Sequence, residues 1–161
     1  MLLIRTNWLN HALLDLSAAV ARTGQHLQAF EVYSAVHIRS LDLTPPQFDI
    51  VATLGNTPGM PLKELGEKTL ITKGTLTGVV DRLADKGLVR RTASPSDGRS
   101  QIVQLTPQGK KLFARVFPAH ISHMERVFAQ LSPEELAGIT AGLHRLREAF
   151  AAAHISDGET P

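Results

Sequence analysis

The stretch ITKGTLTGVVDRLADKGLVRRTASPSDGRSQIVQL, residues 71–105, decides the fold because its hydrophobic period changes partway along. In its first half, apolar side chains recur three and four positions apart, the spacing of one helix face: Leu76, Val79, Val80 and Leu83. This spacing predicts a helix from Ile71 to a C-cap at Gly87. In its second half, LVRRTA and SQIVQL alternate in polarity around SPSDG, which predicts a two-stranded β-hairpin.

A second short helix is predicted directly before this stretch. In PLKELGEKT, residues 61–69, Leu62 and Leu65 share the inward side of one helical turn. Two short helices joined by a tight turn form a helix-turn-helix candidate, and a hairpin behind them adds a wing. The chain is therefore predicted to be mainly α-helical, with a winged helix-turn-helix that carries a two-stranded β-wing.

Longer helices are predicted on both sides of this module. Residues 8–40 lack proline and carry apolar residues on more than one helical side, which indicates burial against more than one domain. Three later helices begin with a capping signature, at Thr44, Thr106 and Ser132. The second of these helices is expected to reach about Leu131, and the last to end before the tail SDGETP, which is expected to be disordered.

Charge and composition restrict the class of protein. The 161 residues carry a net charge of +2 and no cysteine, so disulfides and thiolate chemistry are excluded. Residues 60–115 hold eleven Lys or Arg against five Asp or Glu, and a basic centre of this kind is typical of polyanion binding. No stretch of about 18 apolar residues occurs, and MLLIR is too short for a signal peptide. A cytoplasmic protein with no membrane partner is therefore expected.

The face of the 71–87 helix opposite its apolar stripe is small and polar. It carries Gly74, Thr77, Gly78 and Asp81, with Lys73, Thr75 and Arg82 at its margins, and Thr72 as the N-cap. A face of this kind can approach base edges in a major groove closely, and the helix N-terminus can bind a phosphate. Two interior glycines each cost about 1 kcal/mol in helix propensity, which close approach to another surface would explain.

The hairpin places an arginine at its tip. Beside a recognition helix, Arg99 can reach the adjacent minor groove, and Asp97 can orient its guanidinium or stabilise the turn. Arg90 and Arg91 occupy neighbouring strand positions that face opposite ways, so only one of them can meet phosphate on a given surface. Arg91 is included among the candidate DNA contacts, and the choice between the two arginines stays open.

The series LTPPQF, LKELGEK, ITKGTLTGVVDRLADKGLVRR, SPSDGRS and QLTPQGKK resembles the MarR family of winged-helix transcriptional regulators over nearly the whole chain. The resemblance implies a homodimer, with first and last helices interleaved, on double-stranded DNA carrying a pseudo-palindromic operator. It also implies contacts from the positions that match the family's recognition helix and wing: Thr72, Lys73, Gly74, Thr75, Thr77, Arg82, Asp97 and Arg99. Gly98 departs from the basic residue that many members have, and Gly78 from a larger polar residue.

The domain organisation follows from these elements. Residues 1–43 and 106–153 are predicted to be dimerisation helices, 44–105 the DNA-binding domain, and 154–161 a disordered tail. The predicted function is a MarR-type regulator, a repressor released by a small and often aromatic ligand. Two alternatives remain open: a winged-helix protein-interaction module without DNA binding, and a metal-responsive regulator.

Effector and metal ligands are weakly indicated. Trp8, His11, Arg22 and His26 lie on the first helix and could line a ligand pocket, although packing is the more common role of such side chains. His120 and His123 lie three positions apart near Glu125, but two histidines are too few for a metal site.

No cofactor is expected. No nucleophile elbow, phosphate-cradling glycine loop or paired-histidine zinc motif occurs, so an enzyme is not expected.

Overall fold

The computed structural model describes the backbone of residues 3–93 and 101–158, and the side chains of residues 21–93 and 101–153. The elements in this part of the chain are α1 (Leu3–Ser40), α2 (Pro45–Leu54), β1 (Met60–Pro61), α3 (Leu62–Thr69), α4 (Lys73–Asp85), β2 (Val89–Ala93), β3 (Gln101–Leu105), α5 (Pro107–Phe128) and α6 (Pro133–Gly158). The predicted order of helix, turn, helix and hairpin is confirmed by α3, α4, β2 and β3. The fold is mainly helical, as predicted.

The sheet has one strand more than the sequence predicts. β2 pairs with β3 in antiparallel register, from Val89 opposite Leu105 to Ala93 opposite Gln101, and this pair is the predicted hairpin. β1 adds a third strand on the other side of β3, with Met60 opposite Val103. A strand of two residues is too short to show an alternating pattern, so no sequence pattern predicts it. A glycine precedes it because a Cβ at Gly59 would lie 2.8 Å from the carbonyl oxygen of Val103.

The main core of the first compact unit (Met1–His120) lies between α2, α3, α4 and the sheet. The predicted stripe of α4 is confirmed, since all four of its side chains are 2% exposed or less. Leu65 of α3 is fully buried in the same core, and Leu62 packs against it. Burying apolar side chains of this size contributes about 1.5–3 kcal/mol each, so this core fixes which side of α4 faces outward.

A second cluster joins the end of α1 to the helix-turn-helix module. Ile38 packs with Leu43, Phe48 and Val116, so that side chains of α1, α2 and α5 meet. Beside this cluster His120 of α5 is only 6% exposed, and its edge lies against the ring of Phe48 at a centroid distance of 4.6 Å.

Polar groups hold His120 in this position. The Oγ of Ser34 lies 3.3 Å from Nε2 of His120, and Nδ1 of His37 lies 3.1 Å from its Nδ1. This hydrogen bond between two imidazoles requires one of the two nitrogens to be unprotonated.

The start of α5 is tied to the base of the wing. The hydroxyl of Thr106 donates to the carbonyl of Gly87 at 2.6 Å and accepts the amide of Gly109 at 3.0 Å, as the predicted cap requires. Gly87 has a φ of 68°, so the predicted glycine C-cap of α4 is confirmed. Gly109 is buried so close to the backbone of Leu88 that a Cβ there would overlap the Leu88 carbonyl oxygen.

The second compact unit (Ile121–Pro161) contains the remainder of α5 and all of α6. α5 ends at Phe128, slightly before the predicted end near Leu131. The predicted capping box of α6 is confirmed, because the amide of Ser132 donates to Glu135 at 2.8 Å and the Glu135 amide donates to Ser132 at 3.2 Å. α6 continues to Gly158, so it includes the first residues of the tail that was predicted to lie outside the helix. The AFAAAH run before the tail has high helix propensity, which favours this continuation.

Gly109→Ala is expected to lower the free energy of unfolding by about 3 kcal/mol, because the added methyl meets backbone that cannot rotate away. Gly78→Ala is the matched control, since the nearest atom to a Cβ there is 3.8 Å away, and it should raise stability by about 1 kcal/mol. Urea denaturation of both variants measures the two changes. Equal stability of the Gly109 variant and the native protein would contradict the close packing of α5 on Leu88.

Candidate nucleic-acid interface

The outward face of α4 presents the predicted recognition residues. Six of these residues are exposed to solvent: Thr72, Lys73, Gly74, Thr75, Thr77 and Arg82. Gly78 is partly exposed. The face is made mostly of side chains with three heavy atoms or fewer, and the two long basic side chains stand near its ends. Such a surface can lie against the floor of a groove while the cations reach its phosphate walls.

The first turn of α4 leaves its amides available to a ligand. Thr72 occupies the predicted N-cap position with extended backbone (φ −60°, ψ 146°), but its hydroxyl donates to the hydroxyl of Thr75 at 3.2 Å. Among the described residues, its side chain makes no capping hydrogen bond to a first-turn amide. These amides and the positive end of the helix dipole therefore face outward beside the exposed Lys73, an arrangement that favours a phosphate.

Among the described residues, nothing packs against the two glycines of this helix closely enough to require a glycine. Within the described part of the structure, a Cβ at Gly74 would meet nothing within 4 Å, and one at Gly78 would meet only Nη1 of Arg82 at 3.8 Å. Each glycine costs about 1 kcal/mol in a helix interior. The space above them is open, as the interpretation of close approach to an external surface requires.

Arg91 connects the wing to the recognition helix. Its Nη1 lies 2.6 Å from Oδ1 of Asp81 in α4, and its Nη2 donates to the carbonyl of Thr77 at 3.5 Å. The Arg91 side chain is 27% exposed and that of Asp81 is 50% exposed. The guanidinium thus pairs with a carboxylate of the recognition face and holds β2 against α4. Sequence reasoning included Arg91 among the candidate DNA contacts, with the choice between Arg90 and Arg91 left open. It did not identify the contact with Asp81, because the two residues lie on different elements.

Arg90 lies on the opposite side of β2 and is exposed. With the amide of Gln104 oriented to satisfy both of its ends, the Gln104 oxygen accepts from Nε of Arg90 at 3.2 Å, and its nitrogen donates to the carbonyl of Pro58 at 3.3 Å. The two arginines therefore face opposite ways, as strand geometry predicts. The tip residues Asp97, Gly98 and Arg99 lie outside the described residues, so their roles stay predictions.

The weaker candidates are dispersed. Arg22 and His26 are exposed on α1, and the side chains of Trp8 and His11 lie outside the described part of the structure. Residues 21–93 and 101–153 contain no group of three His, Asp or Glu side chains that could hold a metal ion, so the metal-responsive alternative gains no ligand set there. The cluster of Ser34, His37 and His120 was missed by the sequence analysis because its members lie far apart along the chain and follow no local motif.

These features define a winged helix-turn-helix protein with a recognition face. The MarR family model matches residues 43–101, from the end of the α1–α2 turn to the start of β3. The HTH-type transcriptional regulator MhqR of Bacillus subtilis (strain 168) is 36% identical over 110 residues, which are 68% of this chain and 76% of MhqR. The chain belongs to the MarR family and is a DNA-binding transcriptional regulator of that type.

Solved structures support the same assignment. Sco3205, a MarR family transcriptional regulator from Streptomyces coelicolor in complex with DNA, gives a TM-score of 0.74 at 26% identity, over 82% of this chain and 86% of Sco3205. BpsR of Bordetella bronchiseptica, whose structure concerns regulation of DNA binding by 6-hydroxynicotinic acid, gives a TM-score of 0.67 at 25% identity, over 78% of this chain and 98% of BpsR. Among the helices that the structure describes, none is both long and apolar enough to span a membrane.

Asp81→Asn separates two roles of the Arg91 contact. If the pair positions the wing, the variant should lose about tenfold in operator affinity, whereas simple removal of a negative charge near DNA should raise affinity. Stability should change by less than about 1 kcal/mol, because both side chains are partly exposed. Glu148→Gln, which removes one negative charge from an exposed pair on α6, is the control. A gain in affinity for Asp81→Asn, measured by fluorescence anisotropy, would contradict the positioning role.

Gly78→Gln tests the open space on the recognition face. The uncharged side chain should not lower stability, since glutamine is a better helix former than glycine, but it should reduce the ratio of operator affinity to random-DNA affinity by about tenfold, because it fills the space above the helix. Gly78→Ala should reduce this ratio far less. Competition binding with operator and random duplexes measures both variants, and an unchanged ratio for Gly78→Gln would show that close approach at this position is unnecessary.

Proposed function

We propose that this regulator binds a pseudo-palindromic operator as a homodimer, represses transcription there, and is released by a small, often aromatic, ligand. The observation that carries the proposal is the exposed, glycine-containing face of α4. The ion pair between Asp81 and Arg91 joins this face to the wing. α4 enters the major groove, and its first turn and Lys73 bind phosphate. The proposed contacts are Thr72, Lys73, Gly74, Thr75, Thr77, Gly78, Arg82, Arg91, Asp97 and Arg99. The proposal includes no catalytic step.

The wing contacts are supported by the position of the strands. Ala93 pairs with Gln101, so the two residues that flank the segment 94–100 lie opposite each other at the end of the strand pair beside α4. In the proposal, Arg99 inserts into the minor groove and Asp97 holds its guanidinium. Arg91 acts from the base of the wing, where its exposed edge can reach a phosphate while Asp81 holds the other edge.

The homodimer is supported by apolar side chains that this single chain leaves in water. On α1, Leu27, Phe30 and Val36 are at least half exposed, and on α6 Leu143 and Phe150 are more than 60% exposed. Faces of this kind on long helices are typical of subunit interfaces. A two-fold axis would place the two recognition helices about one turn of DNA apart, roughly 10 bp between half-site centres, so the operator is an inverted repeat.

Release by a ligand is supported by a relative and by polar groups. The structure of BpsR concerns control of its DNA binding by 6-hydroxynicotinic acid, an aromatic acid. In this chain, Ser34, His37 and His120 place hydrogen-bonding groups where α1 and α5 meet next to Phe48 of α2. A ligand that altered this contact would act on the first helix of the DNA-binding module. Because the proposed target is chromosomal DNA, the proposed location is the cytoplasm.

The test is a titration of labelled DNA from upstream of the encoding gene at several salt concentrations, with footprinting of the bound duplex. We expect a steep loss of affinity with salt, protection of an inverted repeat, and two chains per duplex. Arg99→Ala should weaken binding and flatten the salt dependence by about one unit of slope without changing the melting temperature. Arg145→Ala, on the exposed surface of α6, is the control. No binding at low salt would support the interaction module instead.

A further inference from the structure

Leu70 combines two unfavourable properties. It follows the last residue of α3 in the left-handed conformation, with a φ of 56° and a ψ of 15°. Its side chain is also 89% exposed, the highest value among the large apolar residues exposed in the described structure. Asp42 is the other non-glycine residue with positive φ in the described ranges, and aspartate is one of the residues that tolerate this region.

Neither backbone preference nor burial explains a leucine at this position. Glycine or asparagine would adopt the same conformation at less cost, and an exposed leucine gains nothing from the hydrophobic effect. Local strain of this kind persists where the surrounding structure imposes it, and it concentrates at functional sites. The side chain is therefore expected to have a partner outside the chain.

The position of Leu70 identifies that partner. It lies two residues before Thr72, the N-cap of α4, which is the end of the helix that enters the groove in the proposed function. It borders an open, mainly apolar groove of about 740 Å³, whose lining includes Leu62, Ile71 and Leu76. Lys63, Glu67 and Lys73 also line this groove. Because Lys63 is paired with Glu67 at 4.0 Å, Lys73 is the cation that joins the groove to the recognition face.

We propose that Leu70 is a specificity residue that contacts the C5 methyl group of a thymine at the edge of each half-site. In the major groove thymine is the base that presents a methyl group, and apolar side chains recognise it. The exposed Lys73 favours DNA as the occupant, since its ammonium group can bind a phosphate beside that base. This inference rests on the proposed function, because it requires the start of α4 to enter the groove.

Two variants separate the contact from the strain. Leu70→Gly removes the side chain and relieves the left-handed backbone, so its melting temperature should equal or exceed that of the native protein. Leu70→Met keeps an apolar side chain of similar volume and should retain most of the operator affinity. A loss of affinity without a loss of stability, confined to the glycine variant, is the result expected.

The matching change on the DNA is made with operator duplexes in which a single thymine is replaced by uracil, as deoxyuridine. Each replacement removes only the methyl group. The native protein should lose about threefold to fivefold at one thymine in each half-site, the value of one buried methyl contact. Leu70→Gly should bind the unmodified operator more weakly by a similar factor. The operator affinity of Leu70→Gly should not fall further when that thymine is replaced, because the contact with its methyl group is already lost in the variant.

Three results would overturn the inference. Leu70→Gly could bind as the native protein does; deoxyuridine could weaken both proteins equally at every thymine; or Leu70→Gly could lose the same factor on operator and random DNA. The third result would assign Leu70 a role in helix placement or in another interaction. Failure of the proposed function is distinguishable from all three, because the native protein would then show no salt-dependent binding to the unmodified operator.

Discussion

The burial of one side of α4 is the constraint on which the rest of the structure depends. Leu76, Val79 and Val80 are held between α2, α3 and the sheet, so rotation of this helix about its axis would expose them to water. The opposite side is consequently directed outward as a fixed surface. A regulator that reads DNA needs such a surface, because base-edge contacts depend on placement within fractions of an ångström.

Buried strand residues and an ion pair to α4 place the base of the wing. β2 enters the core through Val89, and the contact between Arg91 and Asp81 joins the strand to the outward face of α4. Thr106 and Gly109 hold the start of α5 against the residues that precede β2, at the base of the hairpin. The recognition helix and the base of the wing therefore share one rigid core, and a ligand that moved α5 against α1 or α2 would act on both together.

The long helices present a different situation. α1 and α6 are long, yet many of their apolar side chains face solvent in the single chain. Within the described parts of these helices, those apolar side chains are exposed rather than buried in a core, so a second chain is the partner that the proposal requires. The sequence pattern indicated this breadth on α1, because apolar residues spread over more than one side of that helix.

By itself the sequence determined the recognition module: the stripe of α4, its glycine C-cap, the hairpin and the capping signatures at Thr106 and Ser132 follow from spacing and local chemistry. Such features are local, so neighbouring residues suffice to specify them. Only the tertiary structure decided which residues meet across elements: the pairing of Arg91 with Asp81, the hydrogen bond between His37 and His120, and the two-residue strand β1. It also revealed the left-handed, exposed Leu70. These contacts join positions far apart in the chain or depend on backbone angles, and neither leaves a periodic signal in the sequence.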